Sequence, residues 1–243
     1  GLINISQGGS ALVLTMSAGA AITADIIGGG TTLVSGTNES GSFYISGNTA
    51  SNVVLNSRGV LDISSGGIAN ATTVNSGGNQ NILSGGNASA TTVNNGGALN
   101  ISSGGIANST TVNSGGDLNI SAGGVANSTI INNSGAENIS SGGIASATTV
   151  NSGGNQMVSS GGVASATTVN NGGAIYVSSG GSSYYTQIKS GGNEYILSGG
   201  YGPSATISAG GTQTISAGGL DSGTTIQAGG AQIVAGVATA ASI

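Results

Sequence analysis

The sequence has no cysteine, no histidine and no tryptophan, a single proline, and only 4% charged residues. Without cysteine there are no disulfides and no thiolate metal ligands. Without histidine a serine or threonine nucleophile has no imidazole base, and only one lysine is present to replace it. Arg58 and Lys189 are the only bases against seven acids. No patch can neutralise phosphates, so no nucleic-acid partner is expected. No run approaches the ~20 apolar residues of a membrane-spanning helix, so the chain is not expected to be membrane-embedded. Few aromatics and little charge would fit a disordered chain, but disorder gives no reason for a strict period.

A strict period is what the sequence has. Glycine pairs recur at alternating spacings of 11 and 8 residues, which repeats the chain every 19. They run from Gly66-Gly67, Gly77-Gly78 and Gly85-Gly86 to Gly229-Gly230 without an insertion, and the only lapse is Ser134-Gly135. A fixed period of this length marks a solenoid, whose units cannot bury their apolar sides alone.

Two aliphatic columns hold the same phase. One is Val74, Val93, Val112, Ile131, Val150, Val169, Ile188, Ile207 and Ile226; the other runs from Ile82 and Ile101 to Ile215 and Val234. Such β-branched residues in short runs between glycine turns read as strands, and the glycines would break helices. Each 19-mer is therefore a coil of short parallel strands, stacked to a rod of about 12 coils and on the order of 60 Å. A third column, Ile68, Ile106, Val125, Ile144, Val163 and Leu220, is interrupted by Asn87, Ser182 and Tyr201. It leaves open whether a coil has two faces or three.

Polar residues also stack. Asn75, Asn94, Asn113, Asn132, Asn151 and Asn170 form one column, and Thr72, Thr91, Thr110, Thr129, Thr148 and Thr167 another. Such columns can hydrogen-bond from coil to coil as structural ladders. One continuous solenoid is expected, with degenerate coils or a cap over 1–65, regular repeats over 66–236 and an irregular end over 237–243. Ser10–Ala21 looks like the apolar part of a secretion signal, yet residues 1–9 carry no base and read as a repeat fragment. The chain does not begin with Met and is expected to be a piece of something longer.

Little chemistry is on offer. Glu137 and Glu194 share a phase but lie three coils apart, roughly 14 Å, beyond the ~6.5–9.5 Å of an inverting acid pair. A polysaccharide-cleaving enzyme is thus disfavoured, and no cofactor is expected. Calcium-binding solenoids need an aspartate in every turn, where this chain has Ser, Asn and Gly. Asn-x-Ser/Thr sequons follow from composition and say little. One column does change character: Asn81, Asn100, Asn119 and Asn138 give way to Met157, Tyr176 and Tyr195. Tyr176 and Tyr195 should stack outward, and Tyr184, Tyr185 and Tyr201 fall in the same coils, a candidate contact patch.

The unit Ser-Gly-Gly-[Ile/Val]-Ala-x-x-Thr-Thr-Val-Asn-[Ser/Asn]-Gly-Gly occurs whole at 65–78, 103–116, 141–154 and 160–173. It closely resembles the 19-residue repeat of AIDA-type self-associating autotransporter adhesins. The resemblance implies the passenger domain of a Gram-negative outer-membrane autotransporter, a right-handed parallel β-helix at the cell surface or released from it by cleavage. It implies host-cell adhesion through a surface receptor, autoaggregation and biofilm formation. It also implies O-heptosylation of serines by a dedicated heptosyltransferase. The matching serines before glycine turns are Ser65, Ser76, Ser84, Ser103, Ser114, Ser141, Ser152, Ser160, Ser179 and Ser190. A rod with repeated polar sides and little charge suits self-association. The alternative is an ice-binding solenoid, for which Thr73 with Asn75 is the nearest flat outward pair.

Overall fold

A computed structural model describes residues 48–64, 66–102 and 104–243 in full, and the backbone of strands at 2–5, 10–15, 21–27, 32–38 and 41–47. These residues form a β-solenoid with about ten regular turns and no helix. A regular coil has three strands; in the coil over 193–207, Tyr201 makes single bridges where the sheet B strand would lie. One typical coil runs through Asn79–Ile82, Asn87–Ser89 and Thr92–Val93 before the next begins at Ala98–Ile101. Equivalent strands stack in parallel, in a register of 19, to make three sheets, here A, B and C in that order.

The period-two alternation of a strand sets what lies inside. From sheet A the Ile82 and Ile101 column points inward, and so does the residue two before it, such as Leu99 or Leu118. Sheet C contributes the Val74, Val93 and Val112 column. Sheet B contributes Ala69, Ala88, Ala107, Ala126, Ala145 and Ala164, while its aliphatic column at Ile68 faces out. The coil therefore has three faces, and the third aliphatic column of the sequence is a surface stripe. The Thr72 column, at the corner between sheets B and C, is buried as well.

Two corners carry the glycine pairs, for two separate reasons. Gly85 takes φ of 74°, which glycine adopts without penalty. Gly86 has an ordinary φ, but a Cβ there would run into the Ile63 carbonyl of the previous coil. The B-to-C corner turns differently, on one left-handed residue that is glycine only at Gly223: Ala71, Ala90, Ser109, Ser128, Ala147, Ala166, Tyr185 and Ser204 take φ of 54–61°.

The N-terminal part departs from this pattern. Strands 2–5 and 21–27 pair in parallel with the usual offset of 19. From 21–27 to 60–64 the sheet A offset is 37, because an antiparallel hairpin of 32–38 with 41–47 is inserted. Leu33, Val34 and Ile45, apolar residues that fall outside the 19-residue phase, belong to its two strands. At the other end, Val237–Thr239 still pairs in parallel with Leu220–Ser222, so coil pairing extends beyond residue 236.

Candidate functional surfaces

Outward residues of sheets A and C build polar ladders. Asn75 Nδ2 donates to Asn56 Oδ1 at 2.9 Å, and Asn94, Asn113, Asn132, Asn151 and Asn170 repeat the bond, each to the coil before it. On sheet A, Asn100, Asn119 and Asn138 do the same above Asn81, whose Nδ2 donates to Asp62 Oδ1 at 2.6 Å. That ladder ends where Met157, which has no N–H in its side chain, replaces asparagine.

A second polar row lies inside. Gln80, Glu137, Gln156, Glu194 and Gln213 take the inward sheet A position that Leu99 and Leu118 hold elsewhere. Their partners are the buried corner threonines, Ser183 and Asp221 on the inner side of sheet B, and one another in adjacent coils. Thr148 Oγ1 and Gln156 Nε2 donate to Glu137 Oε2 at 3.0 and 2.6 Å. Ser183 Oγ and Thr186 Oγ1 donate to Glu194 Oε1 at 2.7 and 2.9 Å, and Gln213 Nε2 to its Oε2 at 2.9 Å. Burial raises the Glu137 carboxyl above its ordinary range and pushes Glu194 up to about 7 against those hydrogen bonds. Both acids have no exposed surface, so neither can reach a polysaccharide. Sequence reasoning placed their shared phase but not their direction; the step of two from the Ile82 column was the available signal.

The serines of the turn motif form two rows. Ser76, Ser114, Ser152 and Ser190 lie on the C-to-A corner, and Ser84, Ser141, Ser160 and Ser179 on the A-to-B corner. All eight are exposed. The rows flank sheet A on its two edges. Ser65 and Ser103 lie outside the described residues. Ser57 and Ser198 occupy the same two columns and are exposed as well.

The tyrosines fall into two groups. Tyr176 and Tyr195 stack on sheet A with ring centroids 5.0 Å apart and planes 11° from parallel. A groove of about 530 Å³ beside them is lined by Asn138, Met157, Tyr176 and Leu197, among others. Tyr184, Tyr185 and Tyr201 cluster around sheet B, where Tyr184 meets Tyr201 edge-on at 6.2 Å. On sheet C the outward threonine column is broken by Ile130 and Gln187, which removes the regular array an ice lattice would need. Among the described residues no helix is long and apolar enough to cross a membrane.

Comparison with known proteins agrees with this geometry. A family model described as "Adhesin of bacterial autotransporter system, probable stalk" matches residues 35–97, 98–154 and 141–192. The crystal structure of a TibC-catalysed hyper-glycosylated TibA fragment superposes with a TM-score of 0.72 at 35% identity, over 98% of this chain and 94% of that one. No curated protein gives a sequence match. With its 19-residue coils, asparagine ladders and matched repeats, the chain belongs to the AIDA family of autotransporter adhesins.

Proposed function

We propose that this rod is displayed at the outer-membrane surface of a Gram-negative bacterium, where it binds a host-cell receptor and other copies of itself. Autoaggregation and biofilm formation follow from that self-association. The turn serines are acceptors for heptose, transferred by a dedicated heptosyltransferase. The observation that carries the reading is the pair of exposed serine rows, in a chain 35% identical to a glycosylated fragment over nearly its full length. A hydroxyl on a protruding corner can enter a transferase site, whereas one within a sheet is shielded by its neighbours. Many identical weak contacts along one rod add up through effective concentration.

The test is coexpression with the transferase, followed by intact mass and peptide mapping. Added masses equal to whole heptose residues on Ser76, Ser84 and their columns support the reading; an unmodified chain overturns the acceptor role. Sedimentation across concentration tests the adhesive part. Reversible association of the purified chain is expected, and a strict monomer at high concentration would remove self-recognition from the proposal.

A further inference from the structure

The three outward faces differ in what they leave unsatisfied. Over most of the rod, sheets A and C cover themselves with asparagine ladders whose amides already bond one another. The outward face of sheet B carries the aliphatic stripe beside a polar column, in which Ser89 Oγ donates to Asn70 Oδ1 at 3.2 Å and Asn127 Nδ2 to Asn108 Oδ1 at 3.0 Å. Ile68, Ile106 and Ile144 there are 37%, 37% and 40% exposed, with Val125 and Val163 half-buried between them. The stripe is interrupted at Asn87 and Ser182, then continues through Tyr201 to Leu220. Tyr184 and the 59%-exposed Tyr185 widen it there. No outward residue of this face from 68 to 222 is charged, whereas sheet A carries Asp62 and Asp117 and the rim of sheet C carries Lys189.

We propose that this stripe is the face through which two copies of the chain pair along their length. The inference rests on the proposed self-association and assigns it a surface. From Ile68 to Leu220 the stripe advances eight coils, about 38 Å, as one side chain per coil. With the Asn70 column and the B-to-C corner beside it, and without the serine row of the other corner, it covers on the order of 600 Å², the lower end of what one partner contributes to a standard interface. A partner of another fold meets such a straight row over only part of its length. A second copy has the same pitch and matches it row for row. The chain carries a net charge of −5, so copies repel least where no charge is buried between them. Uncovered apolar rows of this size on a protein in water mark contact surfaces.

The test compares sedimentation of the wild type with two double variants. Ile106→Glu/Ile144→Glu places charges on the stripe and is expected to raise the dimer Kd at least tenfold. Thr111→Glu/Thr149→Glu places them on the outward side of sheet C in the same coils and is expected to change it less than twofold. Circular dichroism checks that both stay folded. A cysteine scan keeps the question open to refutation if the stripe variant does not fold. The chain has no cysteine, so each single introduced thiol reports one contact. Under mild oxidation, disulfide-linked dimers are expected from the set Ile106, Val125, Ile144 and Val163→Cys, and not from Thr111 or Thr149 on sheet C or Ala98 or Ala136 on sheet A. Cross-linking of the sheet A or C set instead, or a glutamate variant that associates like wild type, overturns the assignment and leaves self-association standing. A wild type that stays monomeric overturns both.

Discussion

At the scale of single residues, identical threonines in one buried column have different consequences. Thr167 Oγ1 donates to Gln156 Oε1 at 2.9 Å, whereas Thr110 Oγ1 is buried with no hydrogen-bond partner. The repeat explains the contrast. The inward sheet A residues that would bond Thr110 are Leu99 and Leu118, where Gln80 stands in the equivalent place for Thr72 and Thr91. Replacing a buried unpartnered hydroxyl by a methyl removes a desolvation cost, so Thr110→Val is expected to stabilise by about 1 kcal/mol. Thr167→Val leaves a buried Gln156 oxygen short of its donor and is expected to destabilise by about 1–3 kcal/mol. Equilibrium denaturation of the two variants checks both signs. The sequence displayed the threonine column but not its direction. Adjacent threonines alternate sides, and only the position of the B-to-C corner decides which one enters the core.

At the scale of elements, the glycine corners were legible because their residue type announces them. The third corner was not, since its left-handed position is held mostly by alanine and serine, and by glycine only at Gly223. An L-residue there is strained by roughly 1–2 kcal/mol, and glycine avoids that strain at an entropic cost of about 0.5–1 kcal/mol. Ala147→Gly is therefore expected to stabilise by about 0.5–1 kcal/mol, read as a shift in denaturation midpoint. Combined with Ala90→Gly, three coils away, it should act additively. The hairpin at 32–47 illustrates the opposite limit. Leu33, Val34 and Ile45 share no column of the 19-residue repeat, because antiparallel pairing has no fixed offset along the chain for a period to reveal. The small residues of sheet B hid its inward side in a similar way. Beside the larger Ile68, the buried residue is Ala69, and its column stays small along most of the rod, Ala88 to Ala164 and then Ser183.

At the scale of the whole molecule, the buried acids are unevenly distributed. Among the described residues Glu137, Glu194 and Asp221 all lie in the C-terminal half, while earlier coils hold Leu61, Gln80, Leu99 and Leu118 at the sheet A position of the two glutamates and alanine at the sheet B position of Asp221. Burial raises all three carboxyls, so the folded rod binds their protons more tightly than the unfolded chain does. For Glu194 the resulting stability is fully present below about 4.5, and it is lost as pH rises through about 7. In a solenoid each coil leans only on its neighbours, so the loss stays local. Amide exchange, corrected for its intrinsic pH dependence, should show protection falling between pH 6 and 8.5 around residues 174–226 and unchanged around 79–118. Glu194→Gln should flatten that response. The asparagine ladders have their own polarity. In every rung the N–H points to the preceding coil and the carbonyl to the following one, and Asp62 receives the first donor of its ladder. Stacked amide dipoles of one sense add, as they do along a helix. Each ladder also meets a full charge of the opposite sign, the Asp62 carboxylate at the donor end of the sheet A ladder and Lys189 one coil beyond the carbonyl end of the sheet C ladder, so the rod caps its side-chain dipoles as a helix caps its ends.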